Sequence, residues 1–169
     1  MKTNNNRRYD IYLGKNHTEI GEYSLGLYST FRNGKDAESG ALNLTETDVA
    51  NIAKAVATLN SSRICFCPAV RRKYLTGIHY DGKQTECEFY DPDGYFRIKV
   101  EAKRDHAIYG VSFNRLYEIT FSYRGAFGED ECFIFVLREQ DFIALGMAAC
   151  DALAPDEKPI ANPNAVIPD

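Results

Sequence analysis

The chain predicts an α+β fold: a large, mainly antiparallel curved sheet of eight to ten strands, with two helices packed together on one side. Two segments, residues 44–59 and 137–152, read as a strand running straight into a helix, and each opens on the pattern L-x-E-x-D. Around them lie many short stretches of alternating polar and apolar residues separated by turn signals. Eleven tyrosines and ten phenylalanines, with no tryptophan, tilt the composition toward strands.

Residues 8–14 alternate weakly and predict a first strand. From Tyr23 a clearer strand sets Tyr23, Leu25, Leu27 and Phe31 on one face, before a tight turn at Asn33-Gly34. Residues 41–44 form a short strand that enters the first helix. Thr45 stands at its N-cap with Asp48 three residues later, a capping box in which each side chain satisfies a backbone N–H that the first turn leaves free. Leu44 and Val49 occupy the positions of a hydrophobic staple, and Ile52, Ala53, Val56 and Leu59 continue one apolar face.

Residues 63–67 read as a strand ended by Pro68, followed by the one dense basic cluster, Arg71, Arg72 and Lys73. A meander comes next: residues 74–80 turn at Asp81-Gly82 into 83–90, and Asp91-Pro92-Asp93-Gly94 turns these into 95–103. Pairing Tyr90 with Tyr95 sets Phe89 opposite Phe96, Glu88 opposite Arg97 and Glu86 opposite Lys99. A slip of one residue would set Phe89 against Arg97, so this register is favoured over its neighbours.

Residues 108–113 predict a weak strand, and residues 117–123 alternate strictly. Residues 132–137 are apolar on both faces, which predicts a central strand. That strand feeds the second helix, in which Leu137, Glu139, Asp141 and Ala148 repeat Leu44, Glu46, Asp48 and Ala55 at an offset of 93 residues. Arg138 stands in the place of Thr45 and cannot accept a capping hydrogen bond. Two readings of the repeat stand side by side: an internal duplication, or two unrelated helices that share an acidic first turn because the macrodipole favours it. The second helix is apolar nearly all round and predicts burial on more than one side.

One α+β domain is expected over residues 1–153. Residues 154–169 hold four of the six prolines and predict an extended arm or tail. Hydrophobic residues at 44% and charged residues at 26% exclude general disorder. The N-terminal MKTNNNRRYD lacks the apolar core of a secretory signal and nowhere do 18 apolar residues follow one another, so the expected location is cytoplasmic, with no membrane partner. Cys65, Cys67, Cys87, Cys132 and Cys150 then read as small hydrophobes.

No cofactor or metal is expected, because Cys65, Cys67 and Cys87 form no C-x-x-C pair and His17, His79 and His106 are isolated. The carboxylates at Glu46, Asp48, Glu139 and Asp141 suit helix first turns without chemistry, and a Cys87–His79 pair is the kind any such chain offers. No catalytic residue is assigned, and a non-enzymatic protein is expected.

Charge is uneven beneath the net −4. Residues 61–104 hold 9 basic and 6 acidic side chains, whereas residues 105–169 hold 4 and 11. A polyanion would meet the middle third. There Arg71, Arg72, Lys73 and Tyr74, with Tyr95, Arg97, Lys99 and Lys103 on one strand face, suit single-stranded DNA or RNA, bases stacking on tyrosine and phosphates meeting Lys and Arg. The competing reading is that Glu88 and Glu86 neutralise Arg97 and Lys99, leaving an ordinary solvated face.

Taken together, the meander and the two strand-to-helix segments resemble in topology the duplicated strand-and-helix units of the Whirly family and the related single-stranded-DNA-binding transcriptional coactivators. That resemblance implies a sheet that meets nucleic acid and helices that mediate assembly. It carries no site residues with it. The alternative function is a protein-interaction module, an inhibitor or accessory factor of phage or mobile-element origin, acting on a protein partner through the acidic last third and the Pro-rich arm. A homo-oligomer is expected through Phe142, Ile143, Leu145, Met147 and Cys150, since the second helix has more apolar faces than one sheet can cover.

Overall fold

A computed structural model describes residues 9–15, 23–29, 39–92, 94–106, 113–124 and 130–155. The α+β class holds, built from antiparallel strands. Strands β1 (Tyr9–Lys15), β2 (Tyr23–Ser29) and β3 (Ser39–Leu44) make one sheet in that order. Strands β4 (Glu86–Tyr90), β5 (Phe96–His106), β6 (Phe113–Arg124) and β7 (Asp130–Arg138) make a second. Neither sheet closes or curls strongly. The described residues thus hold seven strands in two sheets, where one sheet of eight to ten was expected. Residues 59–85 contain no strand, and among the described residues no ladder joins the two sheets.

Helices α1 (Glu46–Leu59) and α3 (Glu139–Leu153) are the two that were expected. In α1 the capping box forms as read: Asp48 N–H donates to Thr45 Oγ1 at 3.1 Å, and Thr45 N–H donates to Asp48 Oδ2 at 3.0 Å. The helices pack on each other. Gly146 makes their contact close, since a Cβ there would stand 2.7 Å from Val56 Cγ1. α1 also meets β4 and β5, while α3 meets β6, β7 and β1. One continuous core results, from Leu25 and Leu44 through Ile52, Val56, Phe142 and Leu145 to Ile98, Ile119 and Phe121.

The segment between α1 and β4 departs most from expectation. Residues 62–64 form a 3-10 turn, and Pro68 opens a third helix, α2 (Pro68–Tyr74), at the position where its missing N–H costs nothing. The strands expected over residues 63–67 and 74–80 are therefore absent. Gly77, at φ +80°, follows α2, and the Asp81-Gly82 turn is closed by the Asp81 carboxylate accepting from the Lys83 and Gln84 N–H groups. The turn signal was real. What it joins is a loop and a strand.

The β4–β5 register is offset from expectation by two residues. Tyr90 lies opposite Arg97, Phe89 opposite Ile98 and Cys87 opposite Val100. The turn decides this, because Asp91 N–H donates to Phe96 O at 3.0 Å and Gly94 N–H to Asp91 O at 2.9 Å, with Gly94 at φ +76°. A two-residue slide leaves every side chain on its own face, so polarity cannot choose between registers that differ by two. The strand expected over residues 108–113 and the turn at Asn33-Gly34 fall mostly or wholly outside the described residues, as does the Pro-rich arm beyond Pro155.

Candidate nucleic-acid interface

The outward row of β5 carries Arg97, Lys99, Glu101 and Lys103, while Ile98 and Val100 point into the core beneath α1. Register extends this row across the sheet. Arg97 lies between Tyr90 on β4 and Ser122 on β6. One step toward the turn, Arg124 N–H donates to Tyr95 O at 2.9 Å, which sets Tyr95 beside Arg124. Tyr90, Tyr95, Arg97 and Arg124 therefore gather at one end of the outward face. The two tyrosines are 61% and 59% exposed.

The cations of this face have partners of unequal strength. Lys103 Nζ is 2.8 Å from Glu118 Oε1, a close pair that raises the Lys103 pKa above its ordinary value. Arg97 and Glu88 stand 3.7 Å apart, and Lys99 and Glu86 3.9 Å, both as diagonal neighbours in the observed register. Such loose, half-exposed pairs contribute little and are screened by salt. Arg97 Nε, in addition, is buried and has no hydrogen-bond acceptor among the described residues.

The other half of the expected site lies elsewhere. Arg71, Arg72, Lys73 and Tyr74 are on α2, beside the start of α1, and not on the outward sheet face. Tyr74 Oη donates to the Glu46 carboxylate and Lys73 Nζ stands 3.5 Å from it. Arg71 donates to Cys65 O at 3.1 Å. The Tyr74 hydroxyl, foremost, and the Lys73 ammonium hold the Glu46 carboxyl below its ordinary value. Of this cluster Arg72 has an exposed side chain at the helix surface, while Lys73 and Tyr74 tie α2 to α1. Sequence proximity suggested one patch because residues 74–80 were read as a strand beside 83–90.

Tyr90 and Arg124 were not singled out in the sequence. Tyr90 was visible as a turn-flanking aromatic, but the assignment of Arg124 needed the β5–β6 register, which no short-range signal reports.

Expected interface residues on α3 are mostly internal. Phe142, Leu145 and Cys150 are buried within the chain, Ile143 is half-buried, and Met147 is exposed. Helix α1, β1 and the four-stranded sheet consume the apolar surface that had suggested a partner.

Burial pushes the thiols of Cys87 and Cys150 up, which disfavours their thiolates at neutral pH. Among the described residues no three His, Cys, Asp or Glu side chains are grouped to hold a metal ion. Clefts of about 230 Å³ beside Tyr74 and about 120 Å³ beside Arg115 are smaller than the roughly 300 Å³ at which small-molecule sites begin. Among the described residues no helix is long and apolar enough to cross a membrane. No family model matches the chain, and neither a curated protein nor a solved structure is significantly similar to it.

Proposed function

We propose that the protein is a non-enzymatic binding protein that takes single-stranded nucleic acid on the outward face of its four-stranded sheet. The observation that carries this reading is the cluster of Tyr90, Tyr95, Arg97 and Arg124. Exposed rings offer stacking surface to any base, and the two guanidiniums meet the phosphates that join successive bases. Lys99 extends the positive row, since its pair with Glu86 is loose enough to open. The chain's net charge of −4 makes this a local attraction and not a general one, so binding is to be sought at low salt.

Fluorescence anisotropy with a labelled oligothymidine tests the reading. Each Tyr→Ala change at Tyr90 or Tyr95 is expected to cost about 1–3 kcal/mol of binding, the range for one stacked base. Reversal of Arg97 and Arg124 to Glu should weaken binding and flatten its salt dependence by about 0.7 in slope for each lost phosphate contact. Undetectable binding at low salt, or binding indifferent to these four positions, would sink it.

A further inference from the structure

Strand β7 combines two properties that rarely go together. Residues 132–137, CFIFVL, are apolar on both faces, the pattern of a strand deep in a sheet whose faces are both covered. Yet among the described residues β7 pairs with β6 alone and forms the edge of the sheet. Phe133 belongs by alternation to the inward row with Phe135 and Leu137, but is 38% exposed. Ile134, on the outward row, is 51% exposed. A long apolar edge is a template for another strand, and native proteins that keep one exposed normally blunt it with charge, Pro or a bulge. Residues 132–137 carry none of the charge or proline that would do so.

We propose that β7 is the interface of a homodimer, in which two copies pair antiparallel about a two-fold axis at Ile134. The two four-stranded sheets then become one continuous sheet of eight. Charge and polarity select the register. An axis at Ile134 sets Asp130 of each copy opposite Arg138 of the other, Cys132 opposite Val136 and Phe133 opposite Phe135, with Glu131 opposite Leu137 as its one mismatched pair. An axis at Phe133 would set both Asp130 against Val136 and Glu131 against Phe135, and one at Phe135 would set Cys132 against Arg138 and leave Asp130 and Glu131 without a strand partner. The central choice matches opposite charges at both ends and leaves one mismatched pair, Glu131 with Leu137, fewer than its neighbour at Phe133. The strand that reads as central in the sequence is then central in the assembly.

Sedimentation velocity on the full chain over a micromolar concentration series should show a dimer. Ile134→Lys alters an exposed position, so the far-UV circular dichroism should stay unchanged while dimerisation weakens by at least about tenfold, because each ammonium would face its own copy directly across the axis. In a Cys132→Ser background, Ile134→Cys places two thiols across the axis. Mild copper-phenanthroline oxidation should then give a covalent dimer on a non-reducing gel. A wild-type chain that stays monomeric throughout, a dimer that Ile134→Lys leaves intact, or a dimer in which Ile134→Cys fails to cross-link would each overturn the proposal.

Discussion

Helices α1 and α3 open on the same L-x-E-x-D pattern, and the fold gives the shared aspartate two different tasks. In α1, Asp48 closes a capping box with Thr45, three residues away. In α3 the N-cap is Arg138, which makes no side-chain cap bond, and Asp141 instead accepts from Tyr9 N–H at 3.3 Å, across 132 residues of chain. One carboxylate ends a helix locally; the other fastens the first strand to the last helix. The shared glutamate diverges as well. Glu46 accepts from Tyr74 on α2, and Glu139 accepts from Asn60 Nδ2 at 2.9 Å, at the end of α1. Asn60 also donates to Tyr117 Oη at 2.9 Å, so the polar residues of α3's first turn knit three elements. An identical pattern fixes helix initiation and says nothing about tertiary role.

The largest expected effect is at Phe142, which is fully buried and stacks on Tyr117 with ring centroids 3.9 Å apart. Phe142→Ala should lower unfolding stability by about 3–5 kcal/mol in urea titration, the range for deleting a core aromatic. A loss under about 1 kcal/mol would show that α3 is not integral to the core.

The paired aspartate roles separate next. Asp141→Ala removes a buried acceptor and should cost about 1–3 kcal/mol, with faster amide exchange along β1. Thr45→Ala should cost only about 1 kcal/mol, the usual worth of an N-cap, and leave β1 protection as it was. Equal exchange in β1 for both variants would erase the distinction between the two helices.

The smallest effect concerns Glu46. Its folded-state pKa lies below the ordinary 4.5, held there first by the Tyr74 hydroxyl and then by Lys73. A depressed acid contributes stability above its ordinary pKa and loses it as pH falls through the folded value. The stability difference between wild type and Glu46→Gln should therefore be present at neutral pH, be small because the site is exposed, and vanish on acidification below that range. A difference that grows as pH falls would contradict the assigned contacts.

The sequence by itself determined what depends on neighbours a few residues apart. The α1 capping box, the alternation of β2 and β6, the presence of a turn at Asp81-Gly82 and the α+β class all follow from such local spacing and hold in the structure, whereas the apolar run 132–137, read as a central strand, lies in β7 at the edge of its sheet among the described residues. Tertiary structure alone decided three things. The β4–β5 register was settled by turn hydrogen bonds, since a slide of two residues keeps every face and is invisible to polarity. Pro68 could end a strand or begin a helix, and only the docking of Tyr74 and Lys73 on Glu46 distinguishes the two. The cluster of Tyr90, Tyr95, Arg97 and Arg124 draws on three strands, so no window of sequence contains it. Side-chain pattern reports which way a residue faces; which residues become its neighbours depends on strand pairing between distant parts of the chain.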